Sequence, residues 1–494
     1  MTHHQIKLPC FLLAPLVLFA CAGTEKAVNQ RPETVPGISG KSPETIPEEI
    51  PEAADTMTIL ARVADLLGRG DGEGALALFE KIDPAEAEDN DIRLLKASVL
   101  AAAGKNGEAR AIVDGVLAGD PGNSKAMLTL AAIHGTSGNE REQRNVLEGI
   151  VKEDPKNIEA LIELGNISLR ARSLRTAAGY FDRVLAADPD NGDALVGRAL
   201  VYRHNRDPKN AERFLNRAVR LYPAWFVPLS ERARLYRSEG YPREALADID
   251  KAKELDKNNY WIAVDRGNIL LDLNRKEDAL GEFNRAAGID PDNFLAYVYS
   301  AGIKDDLGNY DGAERDYTIL ARLKPEYYFA FEGLGIIKMR RRLWAEARDN
   351  FLEASRQAPK DSTYALLAAM NWMRAGSMSD PRQFLEQTLR RFERESLDWY
   401  MLRLYHDLAG DSDLVIRIDQ EKDPDKKARM LYYLANYYDI RGNRILADRY
   451  FLRVLELDRR AIPEWRLNQI IVEERNLGIS GTNEDRAPGE NPGS

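Results

Sequence analysis

Small and apolar positions recur along most of this chain at one fixed spacing. Steps of 34 residues from Gly70 meet Gly104, Gly138, Arg172, Arg206, Gly240, Asn274, Gly308, Arg342, Gly376 and Gly410, and a last step of 32 meets Gly442. Most of these are Gly or Asn, which tolerate the left-handed backbone that ends a helix before a tight turn. Seven residues before this turn slot stands a small residue in most copies, as in Ala97, Ala131, Gly165, Ala199, Ala233, Gly335 and Ala435. Five after it, alanine recurs from Ala75 to Ala447, and nine after it come bulky apolar residues such as Phe79, Phe181, Phe283, Phe351 and Phe451. Seventeen after it, Pro121, Pro155, Pro189, Pro223, Pro291, Pro325 and Pro359 stop whatever helix precedes them. The pattern predicts a first helix up to the slot and a second from slot to proline. Small columns bring the two together, and the bulky column fills the space between neighbouring hairpins.

Four columns agreeing over so many copies resemble the tetratricopeptide repeat (TPR) family, over about residues 55–460. The resemblance implies an all-α, right-handed superhelix of about twelve helix-turn-helix repeats. In such an array each hairpin buries its apolar face only against its neighbours. Residues 461–478, with Pro463 at the first turn and Trp465, Leu467, Ile470 and Ile471 as an apolar face, read as a C-terminal capping helix. The unit around Gly410 is the weakest copy, since Arg403, Val415 and Asp419 all miss their columns. It reads as a degenerate repeat, or else as a hinge or docking point.

The N-terminus follows other rules. Residues 8–20 are an apolar run of 13 after Lys7, too short to span a membrane and suited to a signal peptide. Leu18-Phe19-Ala20-Cys21 resembles the lipobox of bacterial lipoproteins, which makes residues 1–20 the signal and Cys21 the lipidated residue, with Phe19 departing from the usual small residue. Ala20-Cys21-Ala22 also offers an ordinary signal-peptidase site. The absence of aspartate after Cys21 favours the outer membrane. Residues 21–54 interleave Pro32, Pro36, Pro43, Pro47 and Pro51 with Glu and Thr and read as a disordered tether, and residues 479–494 as a disordered tail.

Composition narrows the chemistry. The 494 residues carry a formal charge of −10, which argues against a nucleic-acid partner. The two cysteines, Cys10 and Cys21, and two of five histidines lie in the first 21 residues, so the remainder holds no thiol and only His134, His204 and His406. No metal site, cofactor or catalytic centre is expected from that inventory. Arg69-Gly70-Asp71 spells an adhesive tripeptide but falls on a turn slot, where glycine is expected anyway. Asp188-Pro189-Asp190-Asn191 and Asp290-Pro291-Asp292-Asn293 lack the closing Glu of a calcium loop and read as inter-repeat turns.

In the family the first helices line a concave groove in which partner segments lie, with positions six and three before the slot facing inward. Six before, the polar residues are Asn166, Arg234, Asn268 and Asn436; three before, Arg203 and Arg237. The family's Lys/Asn/Arg clamp for a C-terminal carboxylate is not reproduced in consecutive repeats. Between residues 198 and 244 eleven Lys/Arg face five acids, a local excess of +6. The C-terminal half is instead aromatic, with Trp372, Trp399, Tyr400, Tyr405, Tyr432, Tyr433, Tyr437 and Tyr438. The expected function is a non-enzymatic interaction scaffold in the bacterial envelope, taking partner segments in its groove. The alternative is a surface lipoprotein adhesin whose basic patch contacts host-cell glycans such as glycosaminoglycans.

Overall fold

The computed structural model describes residues 55–68, 71–379 and 381–477. The signal peptide, Cys21, the tether, Arg69 and Gly70 of the tripeptide, and the tail lie outside the described residues. Among the described residues there are 26 helices and no strand. The chain divides into two compact units, Met1–Ala279 and Leu280–Ser494. Twenty-four of the helices form twelve antiparallel pairs, from Thr56–Gly68 with Gly72–Phe79 to Pro424–Ile440 with Arg444–Glu456. The other two are the single turn Pro84–Ala87 and the capping helix Pro463–Glu474. The pairs are numbered here as repeats 1–12.

The turn slot is a conformational requirement. All eleven described slot residues have positive φ, between 56° and 99°, including Arg172, Arg206 and Arg342. The chain reverses the same way at each except Gly410. The slot N–H bonds the carbonyl three residues back, and the next N–H bonds the carbonyl four before the slot, as in Arg206 to Arg203 (3.0 Å) and Asp207 to Tyr202 (2.9 Å). That pairing satisfies carbonyls a helix end would otherwise leave bare.

The columns meet as their sizes require. A Cβ on Gly165 would stand 2.7 Å from the ring of Phe181, and one on Gly335 2.6 Å from the ring of Phe351. Each is a slot-minus-seven residue against the slot-plus-nine ring of its own hairpin. Phe181 also presses on Gly197 of the next repeat, where a Cβ would come within 2.4 Å. One buried ring therefore joins both helices of its hairpin to the following one, and removing such a ring costs about 3–5 kcal/mol.

Repeat 11 departs from the sequence register. Its first helix, Leu397–Asp407, ends at Leu408 in left-handed conformation (φ 57°), two residues before Gly410 (φ 96°). The step from Leu408 to Gly442 is a full 34, so the shortened step lies before Leu408. Counted from Leu408, the buried Met401 occupies the small column and Arg403 is surface, paired with Asp407 at 2.8 Å. Leu414 and Ile418 fill the interior in place of Val415 and Asp419. The unit is tied into repeat 12: Tyr405 donates to the Tyr433 carbonyl (2.8 Å) and Tyr437 to that of Leu408 (2.9 Å).

Candidate functional site

In the first unit the polar groove columns converge on repeats 5–7. Their first helices are Gly192–His204, Phe226–Ser238 and Tyr260–Asp272. Arg203 donates from Nη1 to Glu231 Oε2 at 2.6 Å, Arg234 pairs with the other oxygen of Glu231, and Arg234 Nε reaches Asp265 Oδ2 at 2.7 Å. This ladder, Arg203–Glu231–Arg234–Asp265, ties three consecutive first helices. Glu231 and Asp265 are each 2% exposed. Burial alone would push Glu231 up, but Arg234 and Arg203 outweigh it and hold the carboxyl below the usual glutamate range. Arg234 is buried too, yet Asp265 and Glu231 raise it further above the ordinary arginine value. At the rim, Arg237 Nε meets Asp272 Oδ2 at 2.5 Å, with both side chains about one-third exposed.

The three asparagines are more deeply placed than groove-facing amides would be. Asn166 is 8% exposed, Asn268 3% and Asn436 1%, because first helices of successive repeats pack over the column six before the slot. Asn166 hydrogen-bonds Glu163. Asn268 Nδ2 has no hydrogen-bond partner among the described residues, and neither has Ser230 Oγ in the preceding repeat. Asn436 is used up internally, accepting from Arg374 Nη2 at 2.6 Å and donating to the Tyr432 carbonyl at 2.9 Å. Arg203, Arg234 and Arg237 thus come together in the first unit with Asn268 on the adjoining helix. Asn166 lies one repeat before them, and Asn436 belongs to the second unit.

Much of the basic stretch is neutralised from within. Arg198 pairs with Asp182, Arg217 with Asp190, and Arg232 grips Asp248 through two nitrogens at 2.6 and 2.8 Å. Arg206, Arg213 and Arg220 are exposed and make no ion pair among the described residues. They lie on a turn and on the second helix Pro208–Leu221, away from the groove columns. The acids that complete the ladder were missed in the sequence. Glu231 and Asp265 both stand nine residues before a slot, so a charge recurring in that column was the available signal.

A carboxyl pair precedes the ladder. Burial and the neighbouring charge of Glu163 push Asp193 from its ordinary 3.8 up to about 7. Burial raises Glu163 as well, against Arg170 and the Asn166 amide. Among the described residues no group of His, Cys, Asp and Glu could hold a metal ion.

In the second unit the first-helix side closes on itself. Arg374 of repeat 10 reaches past repeat 11 to Asn436 and to Asp439 (2.9 Å) of repeat 12, and the Tyr433 hydroxyl lies 3.2 Å from the Thr363 carbonyl. Bonds between first helices two repeats apart place these helices on the inner side of the curve. Asp439 also binds Arg475 at 2.6 Å; burial works against its charge, and Arg475 and Arg374 hold it below the usual aspartate range. Much of the C-terminal aromatic content is interior: Tyr405, Tyr432 and Tyr433 are fully buried. A cavity of about 290 Å³ remains between these helices and the capping helix, walled by Met339, Trp344, Arg374, Tyr432, Leu467 and Ile470.

Comparison with known proteins gives the same architecture. Two models of the tetratricopeptide repeat match, one at residues 144–224, 230–294 and 304–362, the other at 66–133 and 100–164. No curated protein sequence matches significantly. Similar solved structures include a tetratricopeptide repeat protein from Parabacteroides merdae, 22% identical over 49% of this chain and 96% of its own (TM-score 0.39). PilF of Pseudomonas aeruginosa is 17% identical over 41% and 92% of the two chains (TM-score 0.38). Human IFIT1 is 16% identical over 81% and 89% (TM-score 0.44). The repeat matches together cover more than half of the chain and coincide with helical pairs built on a 34-residue period, so the chain belongs to the tetratricopeptide repeat family.

Proposed function

We propose that this protein is a non-catalytic scaffold of the bacterial envelope, anchored through lipidated Cys21, that holds a partner segment along the first helices of repeats 5–7. The family carries the coarser statement: a tetratricopeptide repeat array is a protein-interaction scaffold. The observation that carries the location is the Arg203–Glu231–Arg234–Asp265 ladder with the half-open Arg237–Asp272 pair at its rim. Ion pairs already formed keep these groups in place, so a partner's peptide groups or charges meet a pre-ordered face. Behind it, Asn268 Nδ2 and Ser230 Oγ are buried with no hydrogen-bond partner among the described residues. Affinity capture from envelope extracts tests the reading. The full chain should enrich a defined set of proteins, and Arg237→Ala with Asp272→Ala, which leaves the buried ladder intact, should lose them. Enrichment of nothing, or of the same set by the variant, overturns it. Intact mass of the processed N-terminus tests the anchor, and an unmodified start beyond Cys21 refutes it.

One observation favours the second reading, an adhesin that contacts acidic glycans. The exposed cations that make no ion pair among the described residues, Arg206, Arg213 and Arg220, lie off the groove, where sulfate or carboxylate groups could reach their planar forks. Protease added to intact cells should then remove the protein. Heparin binding should fall as salt rises and disappear in the Arg206→Glu, Arg213→Glu, Arg220→Glu variant. Survival of the protein on intact cells sinks this reading.

A further inference from the structure

The capping helix does more than cover the last hairpin. Its N-terminal part belongs to repeat 12. Glu464 Oε1 lies 2.9 Å from the Tyr433 hydroxyl and 3.4 Å from Arg429 Nε, and Asn468 Nδ2 donates to the Phe451 carbonyl at 2.9 Å. At its other end the C-cap Arg475 also pairs with Asp448 (2.7 Å) and Asp439 (2.6 Å) of repeat 12. Two further contacts are far away in sequence. The Arg466 guanidinium faces Asp306, the last residue of the first helix of repeat 8, at 3.8 Å, and Glu474 meets Arg342, the slot residue of repeat 9, at 3.1 Å. Between these contacts Leu467, Ile470 and Ile471 look onto Met339, Trp344 and Arg374 across the cavity of about 290 Å³. The helix therefore lies across the inner side of repeats 8–10 as well as 12, where the family takes its partners.

Its hold there is uneven. Arg466 with Asp306 and Arg342 with Glu474 are all 44–70% exposed, the kind of surface pair worth about 0–1 kcal/mol. The cavity beneath them leaves the apolar stripe incompletely packed. Electrostatics nevertheless select what can lie there. Burial raises Asp305 and Glu332, and the charge of Arg466 opposes that rise at both, with Arg340 adding to the effect at Asp305. Glu332 accepts from the Tyr364 hydroxyl at 2.7 Å. A cation brought by a helix at this point is favoured, and an anion is repelled.

We propose that the inner face of repeats 8–10 is a docking surface for an amphipathic helix of a partner protein, with the capping helix as its resident competitor. The resident defines the pattern: a basic residue, then apolar residues at i, i+3 and i+4, here Arg466, Leu467, Ile470 and Ile471. An external helix of that pattern must compete with a segment tethered nearby, whose effective concentration is high, so the unaltered chain binds it weakly. The proposal rests on the scaffold reading only in requiring that a partner exists.

The test uses the full chain, two charge reversals, Arg466→Glu against the Asp306 side and Glu474→Arg against Arg342, and a labelled synthetic peptide with the sequence of residues 461–477. Each reversal replaces a weak attraction by a repulsion, which should speed amide exchange in residues 463–474 about tenfold. Peptide binding, read by fluorescence anisotropy, should tighten at least about tenfold over the unaltered chain. The same peptide with glutamate in place of Arg466 should not bind. Faster exchange without peptide binding reduces the helix to a cap and overturns the proposal; so does exchange unchanged in both variants. Either variant alone suffices if the other fails to fold. Loss of envelope partners in the capture experiment bears on repeats 5–7 and leaves this peptide result standing.

Discussion

Replacing Arg206 by glycine should stabilise the first unit, although it removes a long side chain and adds backbone freedom. Arg206 occupies a turn slot at φ 59°, is exposed, and makes no ion pair among the described residues. A side chain in that conformation costs about 1–2 kcal/mol because Cβ crowds the backbone. Glycine removes that cost and, through its looser unfolded chain, takes back roughly 0.5–1 kcal/mol. The net gain is about 0.5–1 kcal/mol. Arg206→Ala keeps Cβ and should change stability by less than about 0.5 kcal/mol. The reverse exchange is available at the next slot: a Cβ at Gly240 would meet no atom within 4 Å, so Gly240→Ala isolates the backbone effect and should cost about 1 kcal/mol.

Because a repeat array sums neighbour interfaces, the effect is best read locally. Amide exchange in Gly192–His204 and Pro208–Leu221 should slow about two- to fivefold in Arg206→Gly, the factor that 0.5–1 kcal/mol gives. Urea denaturation of the full chain should shift its midpoint in the same direction. If Arg206→Ala stabilises as much as Arg206→Gly, the cost lies in the arginine chain and the reasoning fails. If Gly240→Ala leaves exchange unchanged, the left-handed requirement is not what fixes the 34-residue slot.

Glu231→Ala should destabilise the first unit by about 3–5 kcal/mol, since it strands Arg203 and Arg234 with one carboxylate fewer; urea denaturation measures it, and a loss under about 1 kcal/mol would mean the ladder is incidental. Asp193 carries its proton more tightly in the fold than when unfolded, so its contribution is fully present below about pH 3.8 and is lost as pH rises through about 7. About three units at ~1.4 kcal/mol each give about 4 kcal/mol, reduced to roughly 2 kcal/mol by the water that reaches this half-buried group. Asp193→Asn should therefore raise stability above pH 7 and flatten its pH dependence, and an unchanged urea-midpoint profile from pH 4 to 8 would contradict the assignment. Gly335→Ala should cost about 1–3 kcal/mol by driving Cβ into Phe351, and Phe351→Leu should recover part of it; additive losses in the double variant would show that the two columns do not meet there.

The period was legible because each column answers to a single physical demand. A left-handed residue must follow the first helix, a small residue must face a ring, and proline must follow the second helix. Those demands fall on residue types, so they can be read from one chain. The slot persisted where the residue type did not advertise it: Arg172, Arg206 and Arg342 adopt the conformation without glycine, and only their place in the series points to them. Leu408 shows the limit of that reasoning. It takes the slot of repeat 11, yet leucine carries no signal for a left-handed turn and Gly410 stood two residues away to attract the count.

The candidate site was less legible for a related reason. Polar residues on the groove columns could be picked out singly, as Asn166, Arg203, Arg234, Arg237, Asn268 and Asn436, but what each does depends on a partner roughly one period away. Arg203 finds Glu231 at 28 residues, Arg234 finds Asp265 at 31 and Arg237 finds Asp272 at 35. Because consecutive first helices lie side by side, a residue is read correctly only beside the one that follows it by about 34. The same rule fails for the capping helix, whose links to Arg342 and Asp306 span 132 residues and more and follow from the curvature of the second unit alone. Beyond the links between repeats 10 and 12, the capping helix adds the contact of longest range, made by surface ion pairs over a cavity. Such a contact can be broken without unfolding any repeat, since no hairpin depends on it for its own packing, and this makes the end of the chain the natural place for a partner to enter.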